Sequence, residues 1–113
     1  MKKETDIIVE CFSLCERPFN VNETKQILKM SARIVLSWGI SKSYGLEGKG
    51  LMLKVNGNHH KGWVLITLGW EDLYKVYIVN NNGRVLDKYE GIYFDQLVET
   101  IDNRIEKLDS YRF

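Results

Sequence analysis

LYKVYIV-NNNG-RVLDKYE, residues 73–90, carries two alternating apolar segments around a run of asparagines closed by glycine. Asn and Gly tolerate the positive φ angles that tight hairpins require. Residues 73–79 and 84–90 are therefore expected to pair as antiparallel strands across Asn80-Asn81-Asn82-Gly83. The same period of two recurs toward the N-terminus. Val64, Ile66 and Leu68 alternate with Trp63, Leu65 and Thr67, and Leu51, Leu53 and Val55 alternate with Met52 and Lys54. Ile34, Leu36, Trp38 and Ile40 alternate with Val35, Ser37 and Gly39, which predicts a strand over residues 34–40. Parallel crossovers need a dozen or more residues and the connections are too short for them, so an antiparallel meander of about five strands is expected.

On either side of these strands the period becomes helical. Leu97, Val98, Ile101, Ile105 and Leu108 predict a C-terminal helix covering one sheet face, with Asp102, Arg104, Glu106 and Lys107 pointing elsewhere. Near the other end, Ile7, Ile8, Cys11, Leu14 and Cys15 suit a helix over residues 6–15, ended by Pro18. The β-branched run Ile7-Ile8-Val9 leaves a strand open there. Asn20 with Glu23, or Asn22 directly, suits the start of a second short helix bearing Ile27, Leu28 and Met30 and ending near Ser31. The expected class is α+β. A chain of 113 residues, 44% hydrophobic and 12% aromatic, fits one domain with a real core.

Charge excludes some partners. Sixteen Lys and Arg against fifteen Asp and Glu leave a net charge of +1, so no global field draws nucleic acid or an anionic membrane, and any basic site is local. No apolar run approaches the roughly 20 residues of a spanning helix. The N-terminal apolar stretch is broken by Asp6 and Glu10, unlike a secretory signal. A cytoplasmic location with no membrane partner is expected. Cys11 and Cys15, four apart on one helix face, are poorly placed for a disulfide and are read as reduced thiols. Their spacing relative to His59 and His60 matches no common zinc pattern, so no metal is expected.

Nor does a catalytic motif emerge. The stretch Gly45-Leu46-Glu47-Gly48-Lys49-Gly50 lacks the P-loop pattern and leads into no helix, so it reads as a mobile hairpin loop. His59 and His60 have no carboxylate placed in sequence to orient them, and there is no nucleophile elbow. Asp87, Glu90 and Asp95 flank the last strand-to-helix junction, where capping and dipole compensation are their expected role. The remaining constellation interleaves cations and rings: Trp38, Lys42, Tyr44, Lys49, Lys54, His59, His60, Lys61 and Trp63. Single-stranded nucleic acid is bound by such mixtures, with bases on rings and phosphates on cations. Lys42, Tyr44, Lys49, Lys54, Lys61 and Trp63 are the expected nucleic-acid-facing residues. The competing expectation is that the tryptophans are core and the lysines solvated edge residues.

One further feature is a likeness. Trp38-Gly39-Ile40-Ser41-Lys42-Ser43-Tyr44, the L-x-L-K strand ending at Lys54, Val64-Leu65-Ile66-Thr67-Leu68, Leu73-Tyr74-Lys75-Val76 and above all Glu90-Gly91-Ile92-Tyr93-Phe94-Asp95-Gln96-Leu97 resemble small proteins of phages and mobile elements. Those proteins join an N-terminal helix to a series of strands and begin their last helix with an EGVYADQL-like segment. The first twenty residues have no counterpart there, and residues 109–113 replace the TGLY-like ending of the group. The resemblance implies the fold and a phage or mobile-element setting, and it carries no activity, cofactor or catalytic residue. The expected function is that of a non-enzymatic accessory protein binding single-stranded nucleic acid. The alternative is an interaction module for a host defence protein or for a second copy of the chain.

Overall fold

The computed structural model describes residues 3–106, so Lys107, Leu108 and the ending at residues 109–113 lie outside the described residues. Five strands form one antiparallel sheet in sequence order: β1 (Lys42–Gly45), β2 (Leu51–Asn56), β3 (Lys61–Leu68), β4 (Tyr74–Val79) and β5 (Val85–Ile92). Helices α1 (Glu4–Phe12), α2 (Val21–Met30) and α3 (Ala32–Leu36) precede it, and a single 3-10 turn (Phe94–Gln96) leads into α4 (Leu97–Ile105).

The β4–β5 hairpin forms as its sequence predicts, with one refinement. Gly83 has positive φ, but Asn82 does not, and Asn80 supplies the rest of the turn. Its side-chain oxygen accepts from the Asn82 and Arg84 amides, both at 2.9 Å, and its own amide donates to the Arg84 carbonyl at 2.9 Å. An Asn side chain mimicking backbone in this way relieves its neighbours of unusual dihedrals.

The expected strand over residues 34–40 is not one. Ala32–Leu36 is a short helix, Trp38 follows it, and the fifth strand is instead β1. Four alternating apolar residues are too short a sample to separate a period of 2 from one of 3.6. Long-range contacts decide. The Trp38 ring is fully buried, and its Nε1–H donates to Asp102 Oδ1 on α4 at 3.0 Å. The chain then turns at Gly39, whose φ of +63° suits glycine alone at low cost, and a Cβ there would stand 3.0 Å from the Asn56 carbonyl oxygen.

Both sheet faces are covered. On one, Leu53, Val64, Ile66, Val76 and Ile78 meet Leu28 of α2, Trp38, and Leu97, Val98, Ile101 and Ile105 of α4. Leu68 packs at the margin of this core, half-buried. On the other, Met52, Trp63, Leu65, Tyr77 and Val79 meet Ile7 and Cys11 of α1 and Leu46 of the β1–β2 loop. That assignment settles residues 7–9 as helix. It also explains why the middle of β3 is buried without alternation, since both its faces are inside.

The polar residues of α4 and its C-cap Glu106 do not simply face water. Arg104 Nε donates to Asp87 on β5 at 2.6 Å, and Glu106 Oε2 accepts from the Asn58 amide at 2.8 Å. With the Trp38–Asp102 bond, they fasten the helix to the sheet. Helix α2 begins as its sequence predicts, the Asn20 side chain accepting from the Asn22 amide at 3.0 Å and the Glu23 amide at 3.4 Å.

Candidate functional site

The strand register gathers most of the expected cation and ring constellation. Lys42 lies opposite Lys54, and Lys54 opposite Trp63, while Lys61 sits two residues before Trp63 on the same sheet face. Tyr44 packs on Trp63 with ring centroids 6.0 Å apart. Lys49 does not join them. It belongs to the β1–β2 loop, with its ammonium 5.5 Å from the Phe12 ring of α1.

These contacts turn the constellation inward. Trp63 is 1% exposed, so it has no ring face to offer a base and cannot take the stacking role expected of it. Its surface is covered by Tyr44 and by the Lys54 ammonium, 5.3 Å from the ring centroid. Trp38 is equally inside. Glu4 of α1 then closes over β1, accepting from the Tyr44 hydroxyl at 2.5 Å and from Lys42 Nζ at 2.9 Å. The Tyr44 hydrogen bond first, and Lys42 second, hold the Glu4 carboxyl below its ordinary range. The same bonds raise Lys42 and Tyr44. What remains toward solvent on this face is Lys61, beside Lys42, exposed but paired with Glu4, and the half-buried Lys54.

The histidines and carboxylates are engaged in structure. His60 is buried, its Nε2 3.1 Å from the Trp63 carbonyl oxygen, and burial lowers its pKa against the opposing pull of that carbonyl. The His59 amide donates to the Ile105 carbonyl at 2.7 Å, which makes this turn a seat for the end of α4. Asp87 and Glu90, expected near a helix start as dipole partners, instead pair with Arg104 and Lys88, both at 2.6 Å. Neither the 3-10 turn nor α4 has a side-chain cap. The Gly45-to-Gly50 stretch is a tied loop, with Leu46 buried and its amide donating to the Gly50 carbonyl at 2.8 Å. Among the described residues no group of three or more His, Cys, Asp or Glu converges on a point.

A surface that the sequence reading did not single out lies on the helical side. Between α2–α3 and the β1–β2 edge runs an apolar groove of about 380 Å³. Leu28, Leu51 and Leu53 line its inner part, Val35 and Leu36 of α3 one wall, and Ile40 and Ser43 the side toward the sheet edge. Leu36 is 79% exposed and Met30, at the end of α2, is 87% exposed. Ile34 and Ile40 are also open to solvent. The error over residues 34–40 hid this surface, because a strand reading sends Ile34, Leu36 and Ile40 inward with Trp38. A signal was nonetheless present: from Thr24 to Lys42 there is no carboxylate, while Lys25, Lys29, Arg33 and Lys42 are basic.

Set against family models, curated proteins and solved structures, the chain matches none of them. Its function is therefore to be read from this geometry.

Proposed function

We propose that the protein is a non-enzymatic interaction module that takes a partner protein into the apolar groove between α2–α3 and the β1–β2 edge. The observation that carries this reading is the concave cluster of solvent-open Leu36 and Ile40 over half-buried Val35 and buried Leu28, beside a strand paired on one side only. A single exposed leucine is ordinary on a protein surface, but a contiguous apolar hollow rimmed by charge is the mark of a recognition site. The structural engagement of His60, Asp87, Glu90 and Glu4 supports a role without catalysis. The resemblance to phage and mobile-element proteins supports that setting, in which a host protein is a natural target. No helix among the described residues is long and apolar enough to cross a membrane.

The test is a pull-down from host lysate with the full chain and with Leu36→Asp, each with and without nuclease. One protein retained by the wild type, resistant to nuclease and lost with Leu36→Asp, is the expected outcome. Equal recovery by both chains, or recovery of nucleic acid alone, removes the reading.

A second reading rests on the placement of Lys42, Lys54 and Lys61 on one face. These cations can meet the phosphates of single-stranded nucleic acid without a stacking ring. Affinity would then be sequence-blind and strongly salt-dependent. Lys42→Glu with Lys61→Glu is expected to weaken it and flatten the salt slope in fluorescence anisotropy, whereas Trp63→Phe leaves the slope intact. No binding at low salt ends this reading.

A further inference from the structure

We infer that the occupant of the groove is an acidic amphipathic segment of the partner protein, inserting large apolar side chains between α3 and β2 while its carboxylates meet Lys25, Lys29 and Arg33. This inference deepens the interaction reading above and rests on it.

The charges decide the chemistry of the occupant. Lys25 and Lys29 lie four residues apart on one face of α2, and both line the groove. Arg33, one turn on, shares an adjoining hollow with Lys29 and Met30. No carboxylate lines either hollow. In a protein whose net charge is +1, the cations at Lys25, Lys29 and Arg33, with no acid between Thr24 and Lys42, are a local excess, whereas Lys42 lies on the other sheet face and is paired with Glu4. Apolar floor and cationic rim together select a ligand that is apolar on one side and acidic on the other, because charge complementarity sets both orientation and partner choice.

The same charges speak against the other occupants. A twofold dimer through this face uses the same patch on both copies, and because neither hollow is lined by a carboxylate, that patch offers its cationic rim no counter-charge. An anionic membrane also favours basic and apolar residues, but it needs a convex amphipathic face, whereas Leu28, Leu51 and Leu53 lie at the bottom of a hollow. A hollow of about 380 Å³ suits a few inserted side chains.

The experiment uses the full chain and two labelled synthetic peptides. Both repeat Leu and Phe at i, i+3, i+4 and i+7; one carries Glu and Asp between them, the other Lys. Fluorescence anisotropy is expected to show the acidic peptide binding at least tenfold more tightly. Lys25→Glu with Lys29→Glu is expected to weaken that binding roughly tenfold or more and to favour the basic peptide. Leu36→Asp removes both complexes. Amide shift changes on wild-type protein, centred on Leu28, Val35 and Ser43, place the peptide independently of any variant's folding. Equal or tighter binding of the basic peptide in the groove overturns the acidic assignment while leaving a protein-binding groove in place. Neither peptide binding overturns the inference, as does binding of the protein to phosphatidylserine vesicles or to a labelled oligonucleotide through Leu36. A dimer in sedimentation that Leu36→Asp dissociates overturns it in favour of a second copy. Failure of the wild-type chain to capture any host protein in the pull-down removes the underlying reading as well.

Discussion

Replacing Ile101 with alanine tests the docking of α4 most directly. Ile101 is 0% exposed and lies in the core formed by α4, Trp38 and the sheet residues Val64 and Ile66. The substitution deletes three carbons from a closed interior, worth about 2.4 kcal/mol at roughly 0.8 kcal/mol for each buried methylene. The cavity left behind adds to that, because the closed core around Ile101, which includes the sheet and the Trp38 ring, restricts collapse, so the loss should reach about 3 to 4 kcal/mol. Against a total stability of roughly 5 to 15 kcal/mol this is large, and a melting temperature lower by roughly 10 to 20 °C is expected. Urea denaturation followed by tryptophan fluorescence measures it, with the midpoint falling and the slope unchanged. Met30→Ala is the control. At 87% exposure its change should stay within about 0.5 kcal/mol. An unaltered midpoint for Ile101→Ala, or an equal loss in both variants, would refute the packing of α4 on the sheet.

Three further outcomes are expected. His60 is held below its usual 6.5, chiefly by burial, so the folded chain binds its proton later than the unfolded one. Its contribution is complete above pH 6.5 and is lost as pH falls through the lowered value; urea midpoints between about pH 7.5 and about pH 5.5 should drop, and drop less in His60→Gln. Cys11 and Cys15 are each pushed up to about 11 by burial, so iodoacetamide at about pH 8 should alkylate them roughly a hundredfold more slowly in the native chain than in urea; rapid native labelling would contradict the packing of α1. Gly39→Ala places a side chain at φ +63° and 3.0 Å from the Asn56 carbonyl oxygen, and should lower stability by about 1 to 2 kcal/mol; a neutral result would mean that the chain does not turn there as described.

Elements whose signal is local were legible in the chain. Asn80 and Gly83 make their turn with bonds spanning four residues or fewer, Asn20 caps the helix it begins, and the spacing of Leu97, Ile101 and Ile105 is readable because nine residues of helix sample the period well. The alternations of β2 to β5 and the short links between them leave an antiparallel meander as the simple solution. Tertiary structure decided what local pattern cannot. Residues 34–40 became helix and turn because Trp38 has one place to bury its ring and one acceptor, Asp102, sixty-four residues away. Trp63 and its lysines resembled a binding surface because cations beside rings look alike in sequence whether they face solvent or cover a core. Only the closure of α1 over that face, with Glu4 taking Tyr44 and Lys42, made them structural. The groove likewise arises from pieces distant in the chain, α3 and β2, and its apolar residues were indistinguishable from core until the fold left them uncovered.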